Sequence, residues 1–228
     1  MPSSRASKIP LWVKVVYTAF LCVLVPYYWK TYGPANFLWF CDVALLVALA
    51  ALWLESSLLA SMQAVAIVVP QMLWVLDFGL QLFMGRKFFG LAEYMFDSSI
   101  PLFVRGLSSF HGWLPFLLVW LVWRLGYDRR AWIVQTVAAW LLLPASFLLT
   151  DPPPPPPENP AAAVNVNWVY GPGKTAVQTW MAPELFVGVL MIGFPIIIYF
   201  PSHLAFSALF GKRDESVVPV MPRSSEVE

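Results

Sequence analysis

The chain has 228 residues, of which 59% are hydrophobic, 16% aromatic and only 12% charged, and its mean hydropathy is +0.68. Soluble domains carry roughly 25% charged residues, so a water-soluble globule is excluded, and a net charge of +1 excludes the basic footprint of a nucleic-acid-binding protein. The composition predicts an all-α polytopic integral membrane bundle, with 12 Trp and 17 Phe to furnish aromatic belts at the two interfaces.

A membrane span needs roughly 20 mostly apolar residues, and six stretches qualify: 10–29, 36–54, 57–76, 100–125, 131–149 and 183–209. Together they predict a single transmembrane domain over residues 1–210. Arg5 and Lys8 precede the first stretch as in a secretory signal, but it runs on into VPYYWK with no small-residue cleavage site, so it is read as an uncleaved span. Lys14 can snorkel to the near interface. Only Glu55-Ser56-Ser57 separates the second and third stretches, which predicts a tight helical hairpin. The third stretch contains Pro70 and ends at Asp77. Residues 79–99 mix aromatics with Arg86, Lys87, Glu93 and Asp97, too polar to span and too apolar for water, and are expected to lie in the headgroup layer between spans three and four.

The fourth stretch is the most unusual, with Arg105 near its start, His111 in its first half and Pro115 four residues on. Proline has no N–H to give to the His111 carbonyl, so a bend is expected there. Between the last two spans, Pro152 to Pro157 predict a polyproline II spacer of roughly 19 Å, followed by Asn165, Asn167 and Tyr170 in NVNWVYGPG. The tail 211–228 is polar and expected to be disordered and cytoplasmic. There is no internal repeat of the kind on which many transporters are built. Cys22 and Cys41 both lie in apolar runs and are read as buried free thiols.

With the N-terminus inside, Arg5, Lys8, Lys14, Arg124, Arg129, Arg130, Lys212, Arg213 and Arg223 are cytoplasmic. Lys30, Arg86, Lys87, Arg105 and Lys174 are then outside. Nine against five favours both termini in the cytoplasm, in a plasma membrane. This orientation places Cys41, Asp42, Asp77, Arg105, His111, Asn165, Asn167 and Tyr170 in one half of the membrane, with His203 near the opposite interface.

Ionisable groups at such depth call for a functional reason. A thiol becomes a nucleophile when an imidazole takes its proton and a third group orients that imidazole. Cys41 and His111 form the candidate pair. Adjacent helical positions diverge by about 100°, so Asp77 is a less constrained orienter than Asp42. Arg105 would hold a lipid phosphate, and Asp42, Asn167 and Tyr170 complete the candidate substrate-binding set. No metal or cofactor signature is present. Two other classes remain open. One is a transporter or channel with an Asp42, Asp77 and His111 cation or proton site, and the other is a structural membrane protein in which these groups join helices.

FLWFCDVALL around Cys41, SSFHGWLPFLLVWLVWRLGY around His111 and VNVNWVYGPG before the last span also stand in a familiar order. In that order the chain resembles the transmembrane acyltransferases that remodel ether phosphatidylethanolamine, together with their bacterial YwaF-type relatives. The resemblance covers about half the chain. It departs in having Asp42 rather than a histidine after the cysteine, and in the shape of the segment between Cys41 and His111. What it implies is acyl transfer or acyl-ester hydrolysis on a membrane phospholipid, with Cys41 and His111 as the catalytic pair. A homo-oligomer is compatible with that reading.

Overall fold

A computed structural model describes residues 7–211. Six helical units fill it, and the described residues contain no strand. The first is α1 (Leu11–Tyr32), followed by a 3-10 turn, Pro34–Leu38, and α2 (Phe40–Leu54). Next come α3 (Ser57–Met84), then α4 (Leu102–Ser108) with α5 (Phe110–Leu125), then α6 (Ala131–Leu149). The last unit is α7 (Pro183–Gly193), a π-helical segment Phe194–Tyr199, and α8 (Phe200–Phe210). Five units are long and apolar enough to cross a membrane, and α2, at 15 residues, is a shorter apolar helix. The chain is an integral membrane protein by this measure.

Helix α3 is the axis of the bundle. Its 28 residues span about 42 Å at 1.5 Å each, and it packs on α2, α5, α6 and α8. The α2–α3 hairpin is built from small residues: Ala44, Ala48 and Ala51 on one helix and Ala60 and Ala64 on the other are all fully buried. Without Cβ branches to separate them, the two backbones approach closely, which is how helices associate when lipid is the solvent. Glu55 makes the turn in left-handed conformation (φ 49°), and the Ser56 hydroxyl caps α3 by accepting from Leu59 N. Against α3, α5 lays Leu114, Leu118, Leu121 and Val122, all buried, while α3 and α6 bury Ser61, Gln63, Gln135 and Thr136 in the Glu55 half of the core.

The same turn is tied to the start of the chain. The Glu55 carboxylate accepts from the N–H groups of Lys8 (2.9 Å) and Ile9 (3.3 Å), from the Lys14 ammonium (2.9 Å) and from the Ser7 hydroxyl. Burial pushes this acid up, but those donors outweigh it and hold the group down from 4.5 to about 2. A depressed acid stabilises the fold above its unfolded pKa and loses that contribution as pH falls. Wild type and Glu55→Gln are therefore expected to differ in detergent melting midpoint at pH 7. The two curves should converge as pH drops from about 4.5 toward 2, and a pH series of thermal scans checks this.

Several sequence expectations need correcting. The third helix does not end at Asp77: Gly79 to Met84 continue it, and the headgroup-layer segment is shorter, with one 3-10 turn at Glu93–Phe96. The break in the fourth span falls at Ser109, six residues before Pro115, which lies inside α5. Ser109 takes up the interruption because its hydroxyl donates to Gly106 O (2.6 Å) while its own carbonyl accepts from Gly112 N (2.8 Å). The proline run is not one straight rod, because the chain bends at Pro153 and Pro154. Cys22 is a free thiol as read, but it faces outward. The expected polar tail lies outside the described residues beyond Gly211.

Candidate functional site

The end of the bundle opposite Glu55 gathers the polar residues. Two connections hold it in shape. In the first, Asp77, fully buried, accepts from Phe89 N and Ala92 N, both at 2.9 Å. It folds the 85–99 segment back over the end of α3. Asp77 therefore does not orient His111, as the sequence suggested: both of its oxygens are committed to backbone donors. Nothing in residue type distinguishes an acid that receives a loop from one that faces an imidazole. Asp77→Ala is expected to orphan those two N–H groups at about 1–3 kcal/mol each, and tryptic cleavage at Arg86 and Lys87 should then accelerate at least tenfold while the rest of the bundle stays protected.

The second connection is the NVNWVYGPG loop. Asn167, 2% exposed and left-handed (φ 57°), accepts from Phe40 N (2.9 Å). It donates to Leu38 O (2.7 Å) and to the Ser146 hydroxyl (2.9 Å). Tyr170 donates to Phe147 O (2.7 Å) and Thr150 O (3.0 Å). Asn165 closes its own loop on Gly171 O and Gly173 O. Read from sequence as substrate-binding residues, Asn167 and Tyr170 instead spend their polar atoms binding the loop to the start of α2 and the end of α6.

Within this frame His111 has a fixed tautomer. Its Nδ1 lies 2.9 Å from Ser108 O, and a carbonyl can only accept, so the proton is on Nδ1 and the Nε2 lone pair is left outward. The ring is stacked between Phe110 (4.0 Å) and Trp74 (5.4 Å). Gly112 lies against the same indole, where a Cβ would make an ordinary contact with Trp74 at 3.7 Å. The orienting group is thus a backbone carbonyl three residues upstream, delivered by the break at Ser109.

Cys41 and Asp42 open α2. Helical splay does not keep them apart: Cys41 Sγ lies 3.8 Å from Asp42 Oδ2, and Asn36 Nδ2 lies 3.4 Å from the same oxygen. Side chains in a helix lean toward its N-terminus, so the longer Asp42 reaches back to its neighbour. The thiol thus contacts Asp42, and no hydrogen bond joins it to His111.

Three further side chains belong here that residue type alone did not single out. Tyr28 and Ser108 share a 2.7 Å hydrogen bond between buried hydroxyls. Tyr94 sits 6.4 Å from Trp74, ring to ring. Burial pushes the Tyr94 phenol up, and the nearby Tyr28, Cys41 and Asp42 push it the same way. Tyr28 and Tyr94 were hidden among interfacial aromatics, and Ser108 could have been found only as the residue three before a histidine.

The layer also concentrates unsatisfied polarity. Among the described residues, eight buried side-chain atoms lack a protein partner. Four of them belong to this end, Asp42 Oδ1, Trp74 Nε1, Gln81 Oε1 and Arg105 Nε, and both amide atoms of Gln71 lie at the middle of α3. Arg105 spends one other nitrogen on Met95 O (3.0 Å). Groups of His, Cys, Asp and Glu suited to holding a metal are absent among the described residues. His203 stands apart at the other end, 2.9 Å from the Tyr127 hydroxyl and beside Trp132, an interfacial packing position.

No protein-family model matches this chain, and neither does any curated protein or solved structure.

Proposed function

We propose that the chain is an integral-membrane enzyme acting on the acyl ester of a membrane phospholipid. The observation that carries the reading is a histidine whose Nδ1 is committed to the Ser108 carbonyl, leaving Nε2 free as a base, in the half of the bundle that also holds buried, unpartnered polar atoms of Asp42, Trp74, Gln81 and Arg105. Buried polar atoms cost about 1–3 kcal/mol each when unpaired, and native proteins keep few of them without a use. A polar ligand entering from the headgroup layer would satisfy them.

In this reading the Cys41 thiol gives its proton to His111 Nε2 and the sulfur attacks the ester carbonyl. The collapsing intermediate expels the lysolipid alkoxide, which takes that proton from the imidazolium and leaves a thioester on Cys41. Water or a second lipid hydroxyl then resolves the thioester with His111 again as base. The Ser108 carbonyl stabilises the imidazolium through Nδ1–H. The resting thiol lies on Asp42, so substrate binding has to turn it toward His111. Arg105 Nε is the proposed donor to the headgroup phosphate. The proposed placement is a plasma membrane with both termini cytoplasmic and the site in the outer leaflet.

The test is to incubate purified protein in mixed micelles with a phospholipid isotopically labelled in its acyl chains, and to follow lysolipid and free or transferred acyl product by mass spectrometry. Product that requires Cys41 supports the reading, and no product above a Cys41→Ala control removes it.

A second reading rests on Asp42, which is 4% exposed with one orphan oxygen and the other between Cys41 and Asn36. It is a proton or cation site in a transporter. On α2 and α5 the core below it is apolar, from Leu114 to Val122 and at Ala48, Ala51 and Leu52, which favours the enzyme, while the buried polar side chains of the other half, Ser61, Gln63, Gln135 and Thr136, lie on α3 and α6. A proton flux in proteoliposomes lost on Asp42→Asn would reverse that preference.

A further inference from the structure

The other end of the bundle carries a second feature, unrelated to the proposed chemistry. On the outer face, α1 and α5 diverge to leave a groove of about 580 Å³, within the size range of sites that hold one small ligand or chain. Trp12, Val16 and Phe20 form one wall at helical spacing, and Trp113, Leu117 and Trp120 form the other. Tyr17 supports the floor: it is buried, its hydroxyl donates to Leu45 O (2.9 Å), and its ring meets Trp113 edge-on at 5.8 Å. Phe20 meets the same indole at 5.2 Å. The lining is aromatic and aliphatic and opens to the bilayer.

What distinguishes the groove from an ordinary lipid-facing surface is its end. The stripe on α5 continues one turn past Trp120 to Arg124, on the same face by the i, i+4 rule. Arg124 is exposed and donates through Nε (3.1 Å) and Nη2 (2.6 Å) to Lys8 O, which fixes its position. Lys8 is exposed too and leads through Ile9 and Pro10 into the helix that carries Trp12. The nearest acid, Glu55, is already paired with Lys14. Among the described residues, neither Lys8 nor Arg124 has a carboxylate within ion-pair distance. Lys8 and Arg124, joined by those hydrogen bonds and neither in an ion pair with a described residue, therefore lie at the ends of α1 and α5 that border the apolar slot. A basic pocket between spans is the pattern that selects anionic lipid headgroups.

We propose that this groove binds one anionic phospholipid of the surrounding bilayer, an acyl chain between Trp12, Trp113 and Trp120 and its phosphate against Lys8 and Arg124. Two basic residues at a membrane surface give roughly a tenfold preference or more over a zwitterionic lipid with the same chains. Filling the slot should displace both lipids.

The test uses the full chain in detergent micelles with equimolar dioleoyl phosphatidylglycerol and dioleoyl phosphatidylcholine, read by native mass spectrometry. The expected result is one retained phosphatidylglycerol per chain at roughly tenfold preference. In Lys8→Gln/Arg124→Gln the preference should fall to near unity, and in Leu117→Trp retention of both lipids should fall. Equal retention by wild type overturns the proposal, as does a preference unchanged in the double variant or retention unchanged in Leu117→Trp. Should loss of the Arg124 clasp prevent folding, Lys8→Gln alone is expected to reduce the preference about threefold, and an undiminished preference there overturns it equally.

Discussion

His111→Phe is expected to lower phospholipid-ester turnover by roughly 10²–10⁴-fold, the range a positioned general base contributes. The thermal midpoint in detergent should stay within a few degrees of wild type. Phenylalanine is chosen because it keeps the stack between Phe110 and Trp74 and removes only the nitrogens. The one structural loss is the hydrogen bond to Ser108 O, worth about 1 kcal/mol. Turnover and stability therefore separate cleanly. If His111 were there only to join helices, the variant would lose stability or nothing, and any turnover would persist. Measuring the rate of labelled acyl release beside a thermal scan on the same preparation distinguishes these outcomes.

Asn167→Ala should do the reverse, acting first on the fold. It orphans Phe40 N–H and Leu38 O in a buried place and takes one donor from the Ser146 hydroxyl, which keeps its own bond to Leu142 O, and two such losses amount to about 3 kcal/mol. For a chain of this size that corresponds to a fall in melting midpoint of about 6–12 °C. The start of α2 should loosen with it, so hydrogen exchange at Phe40 to Asp42 is expected to rise while the α2–α3 hairpin keeps its protection. Asn167→Asp retains the acceptor for Phe40 N but sets a carboxylate oxygen against Leu38 O in a buried place, so its midpoint should lie no higher than that of alanine. A midpoint unchanged in Asn167→Ala would mean that the loop does not hold α2 in place.

Much of the architecture was legible because membrane spans are read from length and composition. The α2–α3 hairpin followed from the short turn at Glu55-Ser56-Ser57, while the alanines that seal it were not singled out. The gathering of polar groups at one end also followed from alternating direction and 1.5 Å per residue. Their pairing did not. Asp77 and His111 sit at comparable depth, but depth does not tell which way a side chain turns, and the loop after α3 offers Asp77 backbone N–H groups that no residue type announces. The break in the fourth span was placed at Pro115 because proline is the conspicuous breaker, while a serine able to satisfy the interrupted turn took that role at Ser109. Asn167 and Tyr170 look like ligands in a polar-aromatic loop, and only the distances to Phe40, Leu38, Phe147 and Thr150 show them as fasteners.

The site that results differs from a conventional triad. A backbone carbonyl orients the imidazole, and the thiol rests against the acid beside it at 3.8 Å. The central claim is that His111 activates Cys41 once a lipid ester is bound. The most direct measurement is covalent labelling of the purified protein in micelles by a phospholipid bearing an activated acyl ester, mapped by peptide mass spectrometry. The account predicts an acyl group on Cys41, none on the outward-facing Cys22, and loss of the label in His111→Phe. Label on Cys41 at the same rate in His111→Phe, or no label on Cys41 in the wild type, would contradict it.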